Sequence, residues 1–149
     1  MKNLMSIILV LFLFNCEEET KVAVQKIESA IQVEIKETAG ENGKRIILDC
    51  KTEKIYTCYN YTIQTERQNK NNGFAIQFTG TSLGPVCLDA LGPARTQLDL
   101  GVLANGVYSL ELNNMGTVNK GVLRVTDIQI MLDFPQLNGI QIITPVYNR

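Results

Sequence analysis

The sequence predicts an all-β domain in which two antiparallel sheets pack face to face, and three observations predict it. Apolar and polar residues alternate with period two through most of the chain after Val22, the pattern of half-buried strands. Gly, Asn and Pro break that alternation at short intervals, which supplies the turns. No sustained apolar stripe at helical spacing separates the strand-like runs, so the helices that parallel crossovers require are missing.

Taken in order, residues 31–36 (IQVEIK) place Ile31, Val33 and Ile35 on one face and Gln32, Glu34 and Lys36 on the other. Residues 39–43 (AGENG) read as a turn, and 45–50 as a second strand carrying Ile46, Ile47 and Leu48. A third strand is predicted over 56–65. Its parity puts Tyr59 and Tyr61 on the core face with Ile63 and leaves Tyr56 as the candidate for exposure. Residues 68–73 form a polar connection, after which Phe74, Ile76 and Phe78 alternate with Ala75 and Gln77. Residues 79–94 (TGTSLGPVCLDALGPA) are the longest stretch without alternation. Pro85 suits the first position of a helix and Gly92-Pro93 a stop, so one or two helical turns are predicted over 86–91. Strands at 96–100, 107–112, 121–127, 128–133 and 139–144 complete the set, while residues 20–29 are open between tether and strand.

One local pattern sharpens the architecture. Leu103-Ala104-Asn105-Gly106-Val107-Tyr108 resembles the turn into the penultimate strand of immunoglobulin-like and fibronectin-type domains, where a Leu precedes a Gly-containing turn and a Tyr opens the strand. The resemblance implies that the Tyr108 hydroxyl bonds back to the backbone at that corner. The expected fold is an immunoglobulin-like antiparallel β-sandwich of about seven to nine strands over residues 30–149, with a small closed barrel or jelly roll as the alternative.

The amino terminus carries an address. Met1-Lys2-Asn3 is a positive start, and residues 4–14 (LMSIILVLFLF) are an eleven-residue apolar run, short of the roughly 20 that a spanning helix needs. Then come Leu13-Phe14-Asn15-Cys16 and the acidic Glu17-Glu18-Glu19. This resembles a bacterial lipoprotein signal, in which Leu13 fits the third position before a Cys that is acylated and becomes the first residue; Phe14 and Asn15 stand where small residues are usual. The resemblance implies a removed signal over 1–15, lipidation at Cys16, a tether over 16–29 and an outer-membrane address in the cell envelope, since more than one acyl chain gives stable anchoring.

With Cys16 assigned to lipid, Cys50, Cys58 and Cys87 remain for an oxidising compartment. The favoured pair is Cys50–Cys58, closing the short segment 51–57. The competing pair is Cys58–Cys87, which would tie the 84–93 segment to a core strand.

Composition narrows the chemistry. The 149 residues include no His and no Trp, and 14 Lys+Arg stand against 15 Asp+Glu. Without His there is no Ser-His-Asp or Cys-His pair and no HExxH zinc site. No CxxC is present either, so no metal or cofactor is expected. The near-neutral charge offers no clustered basic surface, and no nucleic-acid partner is expected. Glu66 with Arg67, and Asp89 with Arg95, read as surface charge; a hydrolase using carboxylates alone would need an acidic pair converging in a pocket. The candidate interaction loop is 79–94, with Leu83, Pro85, Leu88, Asp89 and the adjoining Arg95 as its candidate residues, although its Leu and Val side chains could equally cap the core. The function expected is that of a membrane-anchored, non-catalytic binding or assembly module with an envelope protein or extracellular ligand as partner. The alternative is an immunoglobulin-like protease inhibitor presenting an end loop.

Overall fold

A computed structural model describes residues 23–149; the signal expected over 1–15, Cys16, the acidic run and the expected tether up to residue 22 lie outside the described residues. The strands are β1 (Val24–Gln25), β2 (Ile31–Gly40), β3 (Gly43–Tyr56), β4 (Tyr61–Lys70), β5 (Gly73–Leu83), β6 (Gly92–Gly101), β7 (Gly106–Asn114), β8 (Thr117–Val125), β9 (Gln129–Asp133), β10 (Ile140–Thr144) and β11 (Val146–Asn148). The described residues contain no helix.

The all-β class therefore stands. The pairing does not confirm an immunoglobulin-like sandwich of seven to nine strands. One hydrogen-bonded path runs β10-β2-β3-β6-β4-β5-β7-β8-β9-β11, with β1 on β5, in an eleven-stranded mixed sheet nearly closed into a barrel. Three neighbouring pairs are parallel: β2–β10, β4–β6 and β5–β7. Parallel neighbours need crossovers that hairpins cannot make, and here the crossovers are loops and strands instead of helices.

Closure depends on the last stretch of chain. β10 and β11 end the path on opposite sides yet are separated in sequence only by Pro145. β10 runs parallel to β2, and β11 pairs antiparallel with β9. Residues 140–148 thus act as one strand that changes partner at Pro145. A proline fits there because it has no N–H to offer a ladder, while its carbonyl accepts the Leu132 N–H at 2.8 Å. Arg149 fastens the join. Its Nε and Nη2 reach Glu37 Oε1 on β2 at 3.0 and 2.9 Å, and its Nη1 donates to the Thr126 carbonyl at 2.8 Å. Only 4% of the Glu37 side chain is exposed. Its Oε2 accepts no hydrogen bond, although Lys44 Nζ stands within ion-pair reach at 3.5 Å.

The interior follows the alternation read from sequence. Ile31, Val33 and Ile35 face inward from β2, Leu48 and Cys50 from β3, Ile76 from β5, Leu110 and Leu112 from β7, Leu123 and Val125 from β8 and Ile130 from β9. Removing this much apolar surface from water is the main force holding the barrel, at about 25 cal/mol per Å² buried. Consecutive burial of Ile46, Ile47 and Leu48 marks a bulge, where the β3–β6 register shifts between Ile46 and Ile47.

Two-residue turns join β2 to β3, β4 to β5 and β7 to β8. The third puts Met115 at φ 51° and Gly116 at φ 79°, the double left-handed geometry that suits antiparallel hairpins. The polar connection read over 68–73 is mostly the end of β4, with only Asn71 and Asn72 in the turn. Gly73 is fixed by proximity, since any Cβ there would collide with the Ser109 backbone of parallel β7.

Tyr108 behaves as its local pattern implies: the hydroxyl donates to the Ala104 carbonyl, four residues upstream, at 2.9 Å.

Candidate functional site

β3 and β5 end at the same end of the barrel, where β4 and β6 begin, so the connections over 57–60 and 84–91 meet there. A disulfide between Cys58 and Cys87 joins them, with Cα atoms 5.2 Å apart. This corrects the expected Cys50–Cys58 pair. Cys50 is fully buried mid-strand, in register with Val33 and Thr96. β3 then runs on to Tyr56, and six strand residues carry the chain roughly 20 Å farther, well beyond the ~7 Å Cα limit for a bridge. Burial pushes the Cys50 thiol far above its ordinary range, with the neighbouring Asp49 carboxylate adding to the rise, so it stays an unreactive thiol.

Extension of β3 also reverses the assignments of Tyr56 and Tyr59, while Tyr61 packs against the core beside buried Ile63 as expected. The strand predicted over 56–65 is broken by the turn at 57–60, which changes the parity on either side. Tyr56 is buried and stacks on half-buried Tyr61 across β3 and β4, ring centroids 4.3 Å apart. Tyr59, expected in the core, is 48% exposed, with the Arg95 guanidinium 5.9 Å from its ring centre.

The sequence-named loop residues come together at this end. Leu83 is half-buried at the close of β5, Pro85, Leu88 and Asp89 lie exposed in the connection, and exposed Arg95 stands on β6 in register with Lys51 and Thr62. The loop is shorter than expected, because 79–83 belong to β5 and 92–94 to β6. It holds no helical turn over 86–91. Nor do its aliphatic side chains cap the core: Val86, Leu88 and Leu91 are 66, 53 and 74% exposed. Ile55, in register with Pro93, adds a further exposed side chain beside them.

Asn60 holds the loop in shape. Its Nδ2 donates to the Val86 carbonyl at 2.6 Å and its Oδ1 accepts the Leu88 N–H at 3.0 Å, while the Tyr59 N–H donates to the Leu88 carbonyl at 3.1 Å. Asn60 is not among the residues that the sequence singles out. The usable signal is an Asn two residues after a Cys and just before a strand, since a side-chain amide offers a donor and an acceptor to an irregular backbone. Exposed hydrophobes on a backbone fixed by three hydrogen bonds and a disulfide make a preorganised, water-facing apolar tip.

Elsewhere, Glu66, Gln68, Gln77, Glu111 and Asn113 line a shallow groove of about 170 Å³ on the barrel wall. Glu111 accepts a hydrogen bond from Lys70 at 2.7 Å, which holds its carboxyl below the usual range, opposite to what a general acid needs. Arg67 turns away from Glu66, donating to Asn69 Oδ1 at 2.9 Å and to the Asp99 carbonyl, with its guanidinium over the Phe74 ring. Among the described residues no three His, Cys, Asp or Glu side chains gather where a metal could sit.

The class defined by this fold and tip is a near-closed β-barrel with a disulfide-pinned apolar end. Compared with protein-family models, with curated proteins and with solved structures, the chain finds no match in any of the three.

Proposed function

We propose that this chain is a lipid-anchored surface protein of the bacterial cell envelope that acts by binding, with the disulfide-pinned tip as its contact surface. One observation carries the reading: Tyr59, Val86, Leu88 and Leu91 expose apolar surface on a backbone that Asn60 and the Cys58–Cys87 bridge hold fixed. A flexible hydrophobic loop would fold onto the core, whereas a fixed one has its ordering cost met before a partner arrives. The disulfide supports an oxidising compartment, in keeping with the signal-like residues 1–15 and Cys16.

A second reading rests on the same fixed loop, which is also a way to present a segment to a protease cleft. Labelling of cells with radioactive palmitate tests the anchor: label on the wild type and none on Cys16→Ser supports it, and an unlabelled wild type refutes it. A protease panel tests the inhibitor reading, which stoichiometric inhibition lost in Leu88→Asp would favour.

A further inference from the structure

β1 fixes the direction from which the chain reaches the barrel. Val24 pairs with Ser82 and Gln25 with Thr81, antiparallel. Traced backward past Val24, the chain therefore runs toward Leu83 and the 84–91 connection, at the same end of the barrel as the apolar tip. Cys16 lies seven residues before Ala23. Seven residues span at most about 25 Å fully extended. If Cys16 is acylated, the end of the barrel that carries Tyr59, Val86, Leu88 and Leu91 stays within that distance of the bilayer, and the entry of the chain at this end favours it over the opposite end as the face turned to the surface.

We infer that the tip docks on the lipid surface itself, inserting Val86, Leu88 and Leu91 at headgroup depth; this rests on the lipid-anchor reading above. The side chains suit that depth. Exposed aliphatics supply the apolar contact, and Tyr59 backed by the Arg95 guanidinium is the amphipathic pair that bilayer interfaces favour. Asp89, exposed in the same connection, keeps the loop from going deeper than the headgroups. A short tether raises the tip's effective concentration at the membrane to the order of millimolar, so weak intrinsic insertion is enough for persistent docking. The barrel would then stand upright, with the turns after β2, β4 and β6 facing outward.

The absence of Trp makes the test direct. Full-length, processed Leu88→Trp protein and, as a control at the opposite end, Val102→Trp are reconstituted into vesicles of phosphatidylethanolamine and phosphatidylglycerol, with and without brominated acyl chains. Docking predicts a blue-shifted, bromine-quenched emission for Leu88→Trp and an unshifted, unquenched one for Val102→Trp. Leu88→Asp in a Cys16→Ser background should lower vesicle partition roughly tenfold relative to Cys16→Ser alone. If both Trp variants float with vesicles and neither is quenched, tip docking is overturned while the anchor reading survives. If Cys16→Ser floats as well as wild type and Leu88→Trp is quenched, the tip binds lipid and the anchor reading fails. Blue-shifted emission without vesicles, together with sedimentation at twice the chain mass, would assign the tip to a second copy and overturn the proposal.

Discussion

Replacing Arg149 with Ala should loosen the join between β2 and β9. The substitution removes two charge-assisted contacts to Glu37 Oε1, at 3.0 and 2.9 Å, and a hydrogen bond to the Thr126 carbonyl. Charged hydrogen bonds contribute about 1.5–3 kcal/mol each at most, and breaking a buried pair typically costs about 3–5 kcal/mol because the remaining charge is stranded. Here Arg149 is 18% exposed and Lys44 stands 3.5 Å from the other Glu37 oxygen, both of which reduce the loss. The expected destabilisation is about 2–3 kcal/mol, or a fall of roughly 6–12 °C in Tm for a domain of this size. Urea unfolding followed by far-UV circular dichroism measures it. Glu37→Gln alone and the double variant complete a cycle whose coupling should exceed about 1 kcal/mol. An Arg149→Ala loss within 0.5 kcal/mol of zero, or a coupling indistinguishable from zero, would refute the claim that this pair fastens the barrel.

Four further outcomes are expected. The Cys58→Ser/Cys87→Ser double variant opens a cross-link spanning 29 residues and should lose about 3–4 kcal/mol, read as a lower urea midpoint with a somewhat steeper slope, because the unfolded chain is freed to expand. Ellman's reagent should find Cys50 protected in the native barrel and reactive at one equivalent after unfolding in Cys16→Ser protein. Met115→Asn should stabilise by about 0.5–1 kcal/mol in thermal melts, because Asn tolerates the left-handed φ that Met115 adopts at a cost. The Arg45 hydrogen bond holds the Asp99 carboxyl below its usual range, so its contribution is present above about pH 4 and is lost as pH falls through the lowered folded value. Asp99→Asn should therefore flatten the acid limb of a stability–pH curve while changing stability at pH 7 by less than about 1 kcal/mol, the pair being exposed.

Period-two alternation made β2, β5, β7 and β8 legible, because each presents one face to the interior and one to water. It failed where a polar residue takes an inward position. Thr52 is 2% exposed, and its hydroxyl donates to the Lys54 carbonyl and accepts the Ala94 N–H. In sequence, the stretch over 51–54 (KTEK) therefore reads as a loop, when it is strand. That single misreading shortens β3, brings Cys50 close to Cys58 on paper and reverses the faces of Tyr56 and Tyr59. The parallel pairings were not legible at all, since nothing local in β4, β5 or β7 records which distant strand lies beside it. Of the candidate site, Leu88, Asp89, Pro85 and Arg95 were found from the break in alternation, whereas Asn60 was not, because its role exists only once the 57–60 and 84–91 connections meet.

The strand that changes partner at Pro145 also sets an order of assembly. It holds the last two of the eleven strands to leave a ribosome or a translocation pore, and until it arrives β2 and β9 both present unpaired backbone. A chain released before residue 140 would carry two sticky margins, so aggregation of truncated products should be a more sensitive sign of damage here than loss of secondary structure. One short segment, by occupying both margins at once, covers the edges of β2 and β9 that would otherwise be templates for self-association.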